Sequence, residues 1–443
     1  MEETATSPPR VFVVGGGFAG LAAAKALAGA PAAVTVFDRR NHHVFQPLLY
    51  QVATASLSPA DICAPIRTVL RGQANVEVAL AEVEGVDVAG RRLLFADGHA
   101  TYDYLVLAAG ATHAYFGHDD WAPLAPGLKS IEDATELRRR ILLAFESAES
   151  EGSAEARRAD LTFGIVGGGP TGVELAGAIQ EIAGKTIPED YRHIDTRTTK
   201  VILFEAGDRL LPAFRPGLSE RARRDLERMG VEVRLRSLVT GVTAEGIELG
   251  DERIPLRNVF WAAGVEASGL GRSLGVPLDR AGRVVVGPDL SIPGHPEVFV
   301  AGDLAAARSA DGGEPVPGVA QGGLQMGRYA GRVIAAELAA AQRGEAAPAR
   351  PPFVYRDKGS MAVIGKAKAV AQIGRFESGG FLAWLLWGGI HIAFLVGFRN
   401  RVQVLLSWFW NWLLNARDAR LITGSAELDL RVPRSREPGG EGR

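Results

Sequence analysis

The chain has 443 residues, 47% of them hydrophobic and 23% charged, with a formal net charge of −2. This composition excludes a disordered chain, leaves room for two or three domains and carries no general basic footprint for nucleic acid. The single cysteine, Cys63, excludes an internal disulfide and with it a redox-active cysteine pair.

In chain order, Met1 to Arg10 is polar, and the apolar, small-residue stretch from there to Ala30 has the look of a leader peptide. The spacing of its glycines, and Lys25 inside it, favour a retained strand and helix instead. Val11 to Val14 reads as a strand, and Gly15-x-Gly17-x-x-Gly20 opens an Ala- and Leu-rich helix. In this fingerprint the first glycine makes the tight turn, the second lets the backbone approach a pyrophosphate and the third lets helix and strand pack closely. Asp38 closes the next strand, Ala33 to Phe37, at the position from which a carboxylate bonds a ribose hydroxyl. Thr101 to Gly110 is an apolar strand ending in Ala109 and Gly110, small residues that leave room for a ligand.

The same pattern then returns 152 positions later. Phe163 to Val166 leads into Gly167-x-Gly169-x-x-Gly172, and Glu205 closes Val201 to Phe204 after a polar insertion from Lys185 to Thr199. A 2′-phosphate would be repelled by Glu205, so the second site reads as preferring NAD over NADP, with Arg209 nearby as the one feature against. Asn258 to Gly264 repeats the small-residue ending in Ala263 and Gly264, and Val298 to Asp303 ends in Gly302 and Asp303. Two dinucleotides are expected. Ala340 to Pro352 reads as a linker.

The C-terminal part is apolar and basic. Five of the seven tryptophans, Trp384, Trp387, Trp408, Trp410 and Trp412, cluster here. Gly379 to Phe398 holds His391 as its only ionisable residue, and at ~1.5 Å per residue a helix of that length could cross a ~30 Å hydrocarbon core. The following stretch argues for lying on the membrane instead. Gln403, Ser407, Asn411 and Asn415 draw a narrow polar stripe along a helix of Val, Leu, Phe and Trp, and Phe353 to Arg420 carries a net +6. A packed helical hairpin or a dimer interface is the alternative use of the same surface. Residues 424–443 read as a polar tail.

Together these segments resemble the two-dinucleotide flavoproteins, in which an FAD domain is interrupted by an inserted NAD domain. The resemblance implies an α/β fold of two Rossmann-like domains plus a C-terminal amphipathic helical membrane-anchoring segment. The expected parts are an FAD domain over 8–130 and 276–345, an NAD domain over 131–275 and a membrane-associating segment over 353–420. It also implies that Asp303 bonds the ribityl chain of non-covalent FAD, a reading compatible with an ordinary helix cap. Acceptors that need a cysteine pair are excluded, and Pro59 to Pro65 around Cys63 holds no Lys or His to activate a lone thiol.

Within that superfamily the chain resembles the type II NADH dehydrogenases, the non-pumping NADH:quinone oxidoreductases. Asn41 to Ala53 is similar to the family's flavin-flanking loop, and Gly318 to Gly327 to its quinone motif, although Gly322 and Gly323 stand where many relatives have larger residues. Asp357 to Ala362 and Val396 to Arg401 resemble its bacterial membrane-anchored branch. The resemblance implies hydride transfer from NADH to FAD, then two electrons to a membrane quinone near Gln321 and Gln325. A helix beginning near Ala320 would point its amides at the flavin.

Glu174 is a candidate proton relay, or else a first-turn glutamate favoured by the helix dipole; either glutamine could equally stripe a helix face. Lys358 and His391 are candidate headgroup or lipid contacts. Pumping is not expected from a chain with at most one span. The expected location is peripheral or monotopic, on the cytoplasmic face of a bacterial inner membrane, with an anionic lipid surface as partner and a homodimer possible. The competing readings are a soluble NADH-dependent reductase of a ferredoxin or other protein acceptor, which has no use for Gly379 to Leu414, and a non-enzymatic redox-sensing partner.

Overall fold

The computed structural model describes residues 7–414, 417 and 419–424. Asn415 and the tail beyond Gly424 lie outside the described residues. The chain forms two compact units. One holds the chain up to Val44, Cys63–Thr112 and Val265–Lys358; the other holds Phe45–Ile62, His113–Gly264 and the chain from Gly359 onward.

The first unit is built on a six-stranded sheet in the order Ser291–Ile292, His295–Val300, Tyr104–Leu107, Arg10–Val14, Ala33–Asp38, Val76–Leu80. All neighbours run parallel except the Ser291–Ile292 edge. Val11 to Val14 is a continuous apolar run because a central parallel strand is covered on both faces, and all four residues are buried. Helix Phe18–Ala26 packs along helix Ala320–Gln342. Their approach depends on small residues. A Cβ added at Gly327 would lie 1.9 Å from the Ala19 carbonyl oxygen, and one at Gly331 would lie 2.5 Å from that of Ala23. Gly327 and Gly331, with Gly323 in ordinary contact with Ala19 one turn earlier, form the packed stripe of this helix, and at Gly322 a Cβ would lie 2.7 Å from the Pro317 carbonyl oxygen.

The second unit repeats the plan on a smaller scale. Its parallel sheet has the order Val231–Arg234, Lys200–Phe204, Thr162–Val166, Asn258–Trp261. Helix Ile131–Ser150 starts at a reciprocal cap in which the Ser130 hydroxyl accepts from the Asp133 amide and the Asp133 carboxylate accepts from the Ser130 amide. A second, antiparallel sheet of Ser360–Gly365, Lys368–Ile373 and Phe376–Gly379 leads into helices Phe381–Phe394 and Phe398–Leu414.

The apolar run from Gly379 to Phe398 is thus divided. It holds a strand end, a helix of 14 residues and a break, and at ~1.5 Å per residue that helix reaches only ~21 Å. Among the described residues no helix is long and apolar enough to cross a membrane. The break is held by Arg401, whose guanidinium donates to the Leu395 and Ala393 carbonyls left over at the end of the first helix.

The polar stripe of the last helix faces partly inward. Asn411 donates to the Ser56 carbonyl and Trp408 Nε1 to Gln51 Oε1, beside the fully buried Val404. The outward faces are apolar instead: Phe398 is 83% exposed, Leu406 60% and Phe409 58%. An amide can turn inward where backbone partners await it, which leaves the leucines and aromatics on the uncovered side.

Two nucleotide cradles and a tryptophan-walled cavity

In each unit the fingerprint sits at the carboxyl edge of the parallel sheet, where the strand order changes direction. Val14 stands between Phe37 and Leu107, and Val166 between Phe204 and Trp261. The two turns match bond for bond. Gly15 N donates to the Phe37 carbonyl and Gly167 N to the Phe204 carbonyl, both at 2.8 Å.

The three glycines have separate physical reasons. Gly15 and Gly167 have φ of +104° and +111° and lie against the Ala108 and Ala262 carbonyls, so both conformation and space demand glycine. A Cβ at Gly20 would lie 1.7 Å from the Gly15 oxygen, and one at Gly172 would lie 1.9 Å from the Gly167 oxygen. At Gly17 and Gly169 a Cβ would meet nothing within 4 Å. These two positions open helices Phe18–Ala26 and Pro170–Glu181, so the space in front of two helix amino ends is clear, the geometry that favours an anion.

The acidic residues are placed alike as well. Asp38 accepts from the amides of Gly16 and Arg40, at 2.6 and 2.7 Å. Glu205 accepts from those of Gly168 and Gly207, both at 2.6 Å. Each carboxylate thus braces its own glycine turn and keeps lone pairs for a ribose hydroxyl. Arg209 donates to the Pro212 carbonyl. In the first unit the turn has a further brace that sequence reasoning missed. Buried His43, with Nδ1 3.1 Å from the Gly16 carbonyl oxygen, is pushed down to about 4 by burial, so its neutral ring donates from Nδ1. Ala109 and Gly110 follow the strand paired beside the first fingerprint strand, Gly302 and Asp303 follow the next strand out, and Ala263 and Gly264 follow the strand paired beside the second fingerprint strand.

The second unit also holds a half-open cavity of about 120 Å³. Its walls include Trp384, Trp387, Trp408 and Trp412 from the C-terminal helices, with Tyr50 and Glu174. Glu174 lies in the first turns of the helix that Gly169 opens. One carboxylate oxygen accepts from the Val363 amide at 3.3 Å, and burial pushes the carboxyl up to about 8, so it is protonated at neutral pH. The Tyr50 hydroxyl beside it is raised well above its ordinary range, by burial and then by Glu174. Arg417 closes the cavity's other side. It is 8% exposed and donates to the Thr54 and Ala178 carbonyls and to Glu181, whose other oxygen accepts from the Lys366 amide. Local sequence gave no sign of this grouping, since its members come from four separate stretches of chain.

His391 lies in the same helical pair. It donates from Nδ1 to the Trp387 carbonyl and stacks on the Trp387 ring, and burial lowers it to about 4.

Gln321 and Gln325 sit on helix Ala320–Gln342 of the first unit, which begins where expected. Gln325 exchanges two bonds with the Arg356 backbone, each 2.9 Å. Gln321 accepts from the Lys358 amide at 2.9 Å and donates to Asp357 at 3.3 Å. Both carboxamides therefore hold the segment Arg356–Lys358 against the helix.

Two cradles of this kind define a class, the dinucleotide-dependent oxidoreductases. The sequence profile of the pyridine nucleotide-disulphide oxidoreductases matches residues 9–327, and the NDH2 C-terminal domain matches residues 358–418. The Mycobacterium tuberculosis type II NADH:quinone oxidoreductase Ndh is 47% identical, over 95% of this chain and 92% of its own. A type II NADH:quinone oxidoreductase of Staphylococcus haemolyticus is 30% identical over 82% and 89%. Among solved structures, NDH2 of Plasmodium falciparum in complex with NADH covers 94% of the chain with a TM-score of 0.83 at 19% identity. The chain belongs to the type II NADH:quinone oxidoreductase family.

Proposed function

We propose that this chain is a membrane-attached, non-pumping flavoenzyme that oxidises NADH and reduces a membrane quinone. FAD, when bound, supplies the relay: it accepts hydride from NADH and gives two electrons to the quinone. The chain's own residues do the rest. Gly15, Gly17 and Gly20 with Asp38, Gly302 and Asp303 would hold the flavin nucleotide, and Gly167, Gly169 and Gly172 with Glu205 would hold NADH. The observation that carries the reading is Glu174. It stands one turn along the helix whose amino end serves the second cradle, and it keeps a proton at neutral pH in a cavity walled by tryptophans. A neutral carboxyl there can deliver a proton to a quinone that has taken electrons. Gln321 is a carboxamide that could donate to a quinone carbonyl, while Gln325, with its oxygen and its NH2 both engaged by the Arg356 backbone, is better suited to positioning.

Anaerobic stopped-flow absorbance tests the whole reading. NADH should bleach the flavin band and a short-chain quinone should restore it; bleaching without recovery would move the acceptor to a protein such as ferredoxin.

Glu205 makes a specificity prediction. Its negative charge would repel a 2′-phosphate, so Glu205→Gln is expected to shrink the preference for NADH over NADPH about tenfold or more in kcat/KM. An unchanged ratio would assign the discrimination to other groups.

Attachment rests on the outward apolar faces of the two C-terminal helices together with the net +6 of this segment, which suit an anionic lipid surface. Because Trp387, Val404 and Arg417 are buried in the second unit, removing the whole segment would damage the fold. A surface variant is the cleaner test. Changing Phe398, Leu406 and Phe409 together to serine is expected to move the protein from the membrane to the soluble fraction while NADH still bleaches the flavin. Full retention on the membrane would sink the assignment.

A further inference from the structure

Helix Ala320–Gln342 carries a second side that the electron-transfer reading does not use. Away from its glycine stripe, Arg328 and Arg332 stand one turn apart and exposed. They border a groove of about 600 Å³ with Arg356 and Lys358, over a wall that includes Tyr329 and Phe353.

The acidic groups around this groove are already engaged. Glu337 is bound by Arg350 at 2.5 and 3.0 Å and by the Tyr104 hydroxyl at 2.8 Å, and Arg350 also bonds Asp289 at 2.8 Å. Asp357, adjacent in sequence, accepts from Gln321. Among the described residues, the guanidinium groups of Arg328, Arg332 and Arg356 have no acidic partner. This contrasts with the surface helix Pro216–Met229, where Arg221, Arg223, Arg224 and Arg228 are each paired with a carboxylate. Guanidinium forks that border one groove and lack carboxylates repel one another within a Debye length of ~8 Å, and their planar donors match phosphate oxygens two at a time.

We propose that this groove binds an organic phosphate carrying two phosphoryl groups, with Arg328 and Arg332 taking one and Arg356 and Lys358 the other. The apolar wall takes the organic part. The same chemistry is offered by a soluble pyrophosphate ester and by a lipid headgroup with two phosphates.

The test uses the full-length, flavin-loaded protein, delipidated in neutral detergent. Calorimetric titration with inorganic pyrophosphate is one arm; retention of diphosphatidylglycerol against phosphatidylcholine from mixed micelles, counted by phosphorus assay, is the other. In Arg328→Ala/Arg332→Ala, binding is expected to fall at least tenfold in one arm, while Arg328→Lys/Arg332→Lys retains part of it. These side chains are exposed, and an unchanged melting curve would exclude a folding defect. Pyrophosphate binding that depends on the arginines upholds a soluble ligand. Arginine-dependent lipid retention without it upholds a headgroup. No binding in either arm, or binding equal in both variants and the parent, overturns the proposal.

Discussion

Gly20→Ala is expected to yield a colourless protein, whereas Gly172→Ala is expected to yield a yellow one that NADH no longer bleaches. The reason is steric and nearly identical at the two sites. A Cβ would sit 1.7 Å from the Gly15 oxygen in one turn and 1.9 Å from the Gly167 oxygen in the other. In both cases the obstacle is backbone, which has no rotamer to escape into, so the turn must open and its cradle deform. Gly17→Ala and Gly169→Ala form the matched controls. There the Cβ points into open space, the fold is undisturbed, and only the room for a pyrophosphate shrinks. Flavin content by absorbance and NADH affinity by titration separate the four variants. For the two tight sites the loss should be about a hundredfold or more, since backbone overlap of this size costs several kcal/mol. Gly172→Ala losing its flavin while keeping NADH binding would reverse the assignment of the two cradles.

Glu174→Gln is expected to leave flavin bleaching by NADH within about twofold and to slow re-oxidation by quinone by ~10²-fold or more, the usual worth of a positioned proton donor. The pH dependence follows from the carboxyl's value of about 8. Below it the group carries the proton that the quinone must receive; as pH rises through it the protonated fraction falls, and quinone re-oxidation falls with it. In the glutamine variant that descent should vanish, because no group remains to titrate there. Rapid-mixing measurements of the two half-reactions between pH 6 and 9 would read both effects. Re-oxidation that keeps its rate in the variant would return Glu174 to the role of a helix residue.

Several parts of this site were legible in the sequence because their signals are local. The two fingerprints and the acidic residues closing the next strands all lie within single strand–turn–helix–strand units, and the cradles form as that spacing requires. The start of helix Ala320–Gln342 and the apolar, tryptophan-rich end were equally open to reading. Other expectations changed with the tertiary structure. Gly327, the last residue of the quinone-like motif, is explained by the neighbouring helix, whose Ala19 carbonyl leaves no room for a Cβ. Gln321 and Gln325 hold Arg356–Lys358, a partner segment more than thirty residues away. The polar stripe turns partly inward at Asn411 because the Ser56 carbonyl, 355 residues earlier, is there to receive it.

The sequence by itself determined the class of chemistry, since a nucleotide cradle is built from backbone geometry and a few glycines whose positions are set by one turn and one helix. What only the tertiary structure decided is which side chains are withdrawn from water and how the apolar end of the chain is divided. Burial raises the Glu174 carboxyl to about 8 against the opposing pull of the Val363 amide, which lies 189 residues away in the chain. The apolar run near the end stays short of a span because Arg401 folds back to close its helix. Desolvation and long-range packing are sums over distant segments, and no local spacing encodes them.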